Sequence, residues 1–427
     1  CAIMVDFLRS KEKEVEFLTV KQLDSGVIKK IKDKMKEKKV IFTDLGSGQL
    51  SLLEKEGIKD FFIFDHHVPE KEDERQLNPS FYGYDGGIDI SGAGVTYLVA
   101  RASGYKKFAH LAVVGSLGDM QDSEGKLKSL NRIAVEDAIK EGTLKVEYDL
   151  RLFGRQSRPL TKMLSYASDP ILPGLTGNDA ASKAFLESLG IELKKGEKWR
   201  NYVDLSSEEK KKLISGLYIY LLDQEMPEYI IQGMVGEVYT LLQEEPRTEL
   251  RDGKEFATVM NACGRQGRPE IGVMVCLGDR DENWRKARSL LQKHRKMLKE
   301  GIGYLKERGV RERENLYYFD ASGKISEEII GVIAGMGYSA KVFNPDKPII
   351  AFAQDKDDES WLKVSARANW DLIRKGIHLG NAMNDGSRAV GGEGGGHNIA
   401  AGARIPMNKK EEFLERVNEI FRKQLNN

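Results

Sequence analysis

Three places in this 427-residue chain set acidic side chains or imidazoles at the end of an apolar run. Phe61–Phe64 stops at Asp65, His66 and His67. Val40–Thr43 stops at Asp44, followed by Leu45, Gly46, Ser47 and Gly48. The apolar stretch 110–117 runs into Gly118, Asp119, Met120, Gln121 and Asp122. Carboxylates beside imidazoles offer hard oxygen and borderline nitrogen ligands, a mixture that suits manganese, iron or zinc and admits magnesium when further carboxylates join. Taken singly, the Asp-His-His triplet is as much an ordinary hydrogen-bonded strand end as a metal element. Together, the clusters suit two divalent ions about 4 Å apart, one carboxylate bridging them, which activate a water and neutralise a phosphoryl centre. The reaction class is phosphoester hydrolysis. No exposed serine elbow accompanies the clusters, so a Ser-His-Asp triad is not supported.

Such a site needs a frame. At this length two or three domains are expected. Hydrophobic residues make up 40% and charged residues 31%, a globular profile. No apolar run reaches the roughly 18 residues of a membrane span, and no secretory segment opens the chain. Cys1, Cys263 and Cys276 form neither a CxxC pair nor an even framework, which points to a reducing, cytoplasmic setting. The net charge of +1 is the balance of 67 basic and 66 acidic residues, so a polyanion must be held by a local groove and not by a global field.

Residues 1–150 alternate helical and strand-like segments, which predicts βαβ units and a parallel sheet. Strands are expected over 16–20, 40–43 and 61–64, with helices over 2–8, 25–38 and 50–56. Asp44 and Asp65 then project from one carboxyl edge, where parallel sheets place their functional groups. The segment 89–97, DISGAGVTY, is either a phosphate-cradling turn or a tight helix entry. Residues 151–250 read as a mostly helical insertion. Within it Arg151, Arg155, Arg158 and Lys162 alternate with Phe153 and Tyr166, as either a phosphate-tracking strip or a solvated loop. Ser206 and Glu209 form a capping box for a helix reaching Gln224. Residues 251–427 contain two apolar runs, a charged linker helix over 283–307 and a second, smaller α/β domain. Near its end, five glycines in six positions precede His397. Their conformational freedom argues against helix or ordinary strand and for close packing against something flat or anionic. A closing helix is expected to be capped by Asn408 with Glu411.

FDHH, TDLGSG, SGAG, GSLGDMQD, KVSAR and GGEGGGHNIAAGA, in that order, resemble the DHH phosphoesterase superfamily with a C-terminal DHHA1 domain. Within it the chain most resembles the archaeal RecJ-like exonucleases, including the GINS-associated nuclease, which are related to a eukaryotic replicative-helicase subunit. The resemblance implies an α/β fold: a parallel-sheet DHH domain over 1–150, the helical insertion over 151–250, and a linker helix with the DHHA1 domain over 251–427. It makes Asp44 the metal-bridging carboxylate, His66 and Asp119 terminal ligands, Asp65 the group that orients the imidazoles and His67 the one facing the scissile phosphate. Ser91 joins the substrate side through the SGAG turn. In the second domain Ser365 and Arg367 would bind the nucleotide backbone, and Gly394, Gly395, Gly396 and His397 would hold a phosphate. Family members begin with an HxDxDG motif that supplies two further aspartates. It is absent here, and is expected upstream of the first helix.

The resulting expectation is an exonuclease acting on single-stranded nucleic acid, DNA or RNA, with two divalent ions, Mn²⁺ before Mg²⁺, in a narrow cleft between two α/β domains. GINS is the candidate protein partner, and no membrane is involved. The competing readings are a GINS-binding replication scaffold that cuts weakly or not at all, and a phosphodiesterase for short oligonucleotides or cyclic dinucleotides.

Overall fold

Short apolar strands with polar ends build the first sheet. In the computed structural model, which describes residues 1–21, 23–35, 38–167 and 170–426, β1 (Val40–Thr43) lies parallel to β2 (Phe61–Phe64), pairing Val40 with Phe61 and Thr43 with Phe64. The two-residue β3 (Gln76–Leu77) adds a third parallel strand beside β2. Phe42, Phe61 and Ile63 pack with Leu50, Leu53 and Ile28 in a small core. Because β1 and β2 run the same way, Asp44 and Asp65 leave the sheet at one edge, and both continue its ladder: Asp44 N–H donates to Phe64 O (2.9 Å) and Asp65 N–H to Leu77 O (3.2 Å).

The expected strand over 16–20 is not formed; that segment is irregular. A strand preference is realised only where a sheet edge accepts it, and this sheet is β1, β2 and β3 alone. The helix expected over 25–38 runs Ser25–Met35, with positions 36 and 37 outside the described residues.

Helices Ala2–Ser10, Gly92–Ala102, Ala109–Gly118, Asn131–Lys140, Gly253–Arg265 and Pro269–Cys276 enclose the larger core beside the sheet. The helix Ala109–Gly118 is buried almost all round, which is why it reads as a featureless apolar run. From this body β4 (Leu144–Leu150) and β7 (Val235–Leu241) rise as an antiparallel ribbon, with Leu144 opposite Leu241. Between them lie a small hairpin, β5 (Lys194–Lys195) with β6 (Lys198–Trp199), and helices that include Leu160–Ser165, Asp179–Ser188 and Ser207–Asp223. Ser206 caps the last in a capping box with Glu209, and Leu213, Leu217 and Leu221 bury one face. Neither reading of the arginine strip describes Arg151 and Arg155. Both are buried, Arg151 against Asp122 and Arg155 between Asp149 and Asp252.

The chain divides into two compact units, Cys1–Ala167 with Gly174–Leu291, and a second built on Gln292–Asn427. The helix Glu282–Arg308 carries the chain from one to the other. The second unit holds β8 (Arg311–Glu312), β9 (Tyr317–Asp320), β10 (Ile349–Gln354), β11 (Trp361–Arg367), β12 (Glu393–Gly396) and β13 (Ala400–Pro406), in the order β12-β13-β11-β10-β9-β8. Only β9 and β10 pair in parallel. Ile330–Ser339 packs on one face and Leu379–Ala389 and Lys410–Leu425 on the other.

Two expectations for this unit fail. The glycine run is a strand: Glu393–Gly396 is the edge of the sheet. What demands glycine is the helix Leu379–Ala389, since a Cβ on Gly394 would lie 2.5 Å from Met383 O. The closing helix begins at Lys410 after a 3-10 turn and has no side-chain cap, so Asn408 and Glu411 do not form a box. Among the described residues no helix is long and apolar enough to cross a membrane.

Candidate metal centre

The end of β2 sets two imidazoles side by side, with ring centroids 4.5 Å apart. Each is oriented by a different acceptor. His66 Nδ1–H donates to Gly86 O (2.6 Å), and His67 Nδ1–H donates to Asp65 Oδ1 (2.7 Å). A carbonyl can only accept, so the Gly86 contact fixes the tautomer that turns the His66 Nε2 lone pair the other way. Nε2 lies 3.2 Å from Asp44 Oδ1 and 3.8 Å from Asp119 Oδ2.

Asp65 is almost wholly buried and serves as the hub of the turn. Its oxygens accept from the backbone N–H groups of Ser47 (3.0 Å), His66 (2.8 Å) and His67 (3.3 Å), besides the His67 ring. Burial pushes this carboxyl up, but the His67 hydrogen bond and charge and the backbone donors outweigh it and hold it down at about 2. For His66 burial works against the charged form, while the Asp44 hydrogen bond and the charges of Asp119 and Asp44 raise it to about 9. Enclosure and the charge of Asp44 push Asp119 up to about 6, opposed by His66 and His67. Two fifths of the Asp119 side chain stays accessible, so solvent tempers that shift.

These directions describe a cluster that favours positive charge. Two carboxylate oxygens converge on one oriented imidazole nitrogen, a donor set that fits a divalent ion of the manganese, iron or zinc type. Asp44, Asp65 and His67 also bring one ligand atom each within 4.8 Å of one another. The backbone has room for nothing else here. A Cβ on Gly92 would lie 2.2 Å from Asp44 Oδ1, and one on Gly86 would lie 1.8 Å from His66 O. Asp44 itself has φ +66, the left-handed region that aspartate tolerates better than most residues.

Ser91, expected on the substrate side, is fully buried and caps its helix through Gly94 N–H (3.0 Å). Its hydroxyl also ends a buried chain of hydrogen bonds. Ser91 Oγ meets Ser116 Oγ (2.9 Å), Ser116 meets Asn131 Oδ1 (2.7 Å), and Asn131 donates to Gln121 Oε1 (2.7 Å). Gln121 donates to Gly86 O (2.9 Å), the carbonyl that orients His66. Ser91 therefore supports the histidine from behind. Asp122, which the sequence grouped with Asp119, points away into a buried ion cluster with Arg151 and Lys254. Sequence reasoning also missed Asn78, which donates to His67 O (2.8 Å) and Ser47 Oγ (3.0 Å). A lone asparagine in a loop carries no pattern that marks it.

In the second unit, Ser365, Gly402 and Gly395 form one cross-strand row over β11, β13 and β12. Ser365 is buried, and Arg367 lies two residues along the same face of β11. The Arg367 guanidinium donates to Ala366 O (2.8 Å) and lies against the start of the helix Ile330–Ser339, where a Cβ on Gly331 would meet Nη2 at 2.4 Å. His397 N–H donates to Ala400 O (3.0 Å), closing the tight turn between β12 and β13.

Comparison with known proteins agrees with this architecture. Residues 152–235 match the DHH-CID domain and residues 316–423 the DHHA1 domain. An uncharacterized protein of Methanocaldococcus jannaschii is 32% identical over 431 residues, covering 99% of this chain and 90% of that protein. CDC45 from Entamoeba histolytica superposes with a TM-score of 0.64 at 13% identity, over 98% of this chain and 93% of that one. RecJ from Thermus thermophilus, solved with Mn²⁺, gives 0.56 at 16% identity; 99% of this chain is covered but only half of that longer one. The mixed α/β fold is thus that of RecJ and CDC45, and the chain belongs to the DHH/DHHA1 superfamily.

Proposed function

We propose that this protein is a divalent-metal-dependent exonuclease that hydrolyses phosphodiester bonds of single-stranded nucleic acid. The observation that carries the reading is His66 Nε2, locked by Gly86 and facing Asp44 Oδ1 at 3.2 Å and Asp119 Oδ2 at 3.8 Å. Asp44, His66 and Asp119 would hold the ion, with Mn²⁺ the better match to a set containing imidazole and Mg²⁺ second. A second ion would share Asp44. When bound, such ions lower the pKa of a coordinated water and neutralise phosphoryl charge. Asp65 fixes the ring of His67, whose Nδ1–H it accepts, so that His67 meets the scissile phosphate in one orientation. Ser365, Arg367, Gly394 to Gly396 and His397 would hold backbone phosphates, Arg367 through its planar fork.

The test is hydrolysis of an end-labelled single strand with Mn²⁺, Mg²⁺ or EDTA, beside a blunt duplex. The reading requires metal-dependent cleavage that prefers the single strand and falls by about 10²-fold or more in Asp44→Ala. Equal cleavage of the duplex refutes the single-strand preference, and cleavage surviving in Asp44→Ala refutes the site. A faster rate on a dinucleotide than on a long strand would favour the short-oligonucleotide reading.

The CDC45 likeness, over 93% of that chain, supports a second reading: a replication scaffold, cutting weakly or not at all, that binds GINS. Stable association with GINS together with no Mn²⁺-dependent cleavage would select it.

A further inference from the structure

The rim of the metal centre differs in chemistry from its floor. The floor is Asp44, Asp65, His66, His67 and Asp119. The residue after His67 is Val68, 72% exposed, and the residue after Asp119 is Met120, 64% exposed and held at φ +58. A third apolar element comes from the loop between Asn78 and Gly86. Both ends of this loop are fastened to the histidine pair, Asn78 by its bond to His67 O (2.8 Å) and Gly86 by its carbonyl on His66 Nδ1 (2.6 Å). Between these anchors it exposes Tyr82 (66%) and Tyr84 (39%). Consecutive Cα atoms are 3.8 Å apart, so the Cα of Tyr84 lies within about 7.6 Å of that of Gly86, and those of Val68 and Met120 one residue step from site residues.

Large apolar side chains are thus exposed on three separate segments, each a few residues along the chain from one charged centre, a placement that solvent alone does not favour. A phosphate by itself has no use for it. The bases that flank a phosphate in a strand do, because every base offers a π-face to a tyrosine ring. Hydrogen bonds within the loop brace it: Asn78 caps its first turn through Ser80 N–H (3.0 Å), and Tyr84 N–H donates to Pro79 O (3.1 Å).

We infer that Tyr82 and Tyr84, with Val68 and Met120 beside them, are a base-stacking rim that selects nucleobase-bearing strands and positions the scissile phosphate over the metal centre. The inference rests on the nucleic-acid reading above, and adds that recognition at the cut site is by the faces of the bases and not by the phosphate alone. These tyrosines position substrate; they are not groups that transfer protons.

The experiment compares two single strands of equal length, one ordinary and one with the three nucleotides at each end replaced by abasic tetrahydrofuran units. Cleavage is measured with Mn²⁺, and binding by fluorescence anisotropy with Ca²⁺. The ordinary strand should show a KM and a Kd roughly tenfold or more below those of the abasic strand. Tyr82→Ala combined with Tyr84→Ala should erase that difference by weakening only the ordinary strand, and Tyr→Phe at both positions should restore it. A difference that persists in the double alanine variant, or equal binding of the two strands by the wild type, overturns the rim. Asp44→Ala separates the two ideas: it should abolish cleavage of both strands and keep the binding difference. If the wild type cuts neither strand but still binds the ordinary one more tightly through Tyr82 and Tyr84, the nuclease reading falls and the rim stands.

Discussion

Gly92 shows how narrowly the site is drawn. It opens a helix, where alanine is ordinarily the better residue by about 0.5–1 kcal/mol. Yet its missing Cβ is what leaves Asp44 Oδ1 in place, at a projected 2.2 Å. Gly92→Ala should therefore leave the Tm unchanged or slightly lower while cutting Mn²⁺ affinity and hydrolysis by about tenfold or more, the usual cost of misplacing the shell around a ligand. Calorimetric Mn²⁺ titration beside a thermal scan checks it, and unchanged affinity would refute the packing argument. Asp65 behaves in the opposite way. It accepts three backbone N–H groups in a dry position, so Asp65→Asn, which keeps the shape but swaps one acceptor for an amide donor, should destabilise by about 1–3 kcal/mol. Urea unfolding monitors the loss, and a Cm equal to that of the wild type would contradict the hub role. The sequence pointed to these carboxylates because a polar residue ending an apolar strand is conspicuous. For Ser91 it pointed to the substrate side, where the structure shows a buried helix cap, because a small residue before a helix looks the same whether its hydroxyl faces a ligand or caps the backbone.

At the scale of elements, the helix Gly253–Arg265 anchors the base of the inserted segment. Asp252 caps it and pairs with Arg155, while Glu255 accepts from Gln156 N–H and the Ser157 hydroxyl. Glu255 is fully buried, and burial followed by the charge of Asp252 pushes its carboxyl up to about 8. The folded state thus keeps a proton that the unfolded chain releases near pH 4.5, and stability contributed by this group declines as pH rises from about 4.5 through 8. Glu255→Gln should match the wild type below pH 4.5 and exceed it above pH 8, by roughly 2–4 °C in Tm for each 1 kcal/mol recovered. A Tm difference that does not vary with pH would reject the assignment. None of this was legible in the sequence, where 251–283 shows two apolar runs and the arginines at 151 and 155 look like surface charge. Burial of an ion pair depends on which distant segment covers it. The parallel strands β1 and β2 and the helix Ser207–Asp223 were legible because their patterns are local: alternate or continuous apolar runs with polar stops, and a capping box. The glycine run of β12 was misread as non-strand, since what requires those glycines is the close packing of the preceding helix, Leu379–Ala389, back onto the strand, which no local pattern of the run itself reveals.

For the whole molecule, charge balance decides how a strand can be held. With 67 basic against 66 acidic residues there is no general attraction for a polyanion. Many cations are also committed in pairs, such as Arg404 with Asp355 and Lys410 with Asp320. Few phosphates are therefore expected to be neutralised. For single strands the slope of log K against log salt is about −0.7 per phosphate neutralised, so two to four contacts give about −1.5 to −3. Arg367 is the proposed principal contact, on the face of β11 that also carries Ser365 and, through Gly402, the row leading to Gly395. Arg367→Ala should raise Kd for a single strand several-fold, reduce the slope by about 0.7 and leave kcat with saturating strand unchanged, because its proposed role is to bind the strand backbone and not to hold the ion. Arg367→Lys should keep the slope and lose part of the affinity, since one point charge replaces a planar fork. Anisotropy at a series of salt concentrations separates the two effects. A slope steeper than about −5 in the wild type would mean that the strand is held by many more phosphate contacts than two to four and would refute this count.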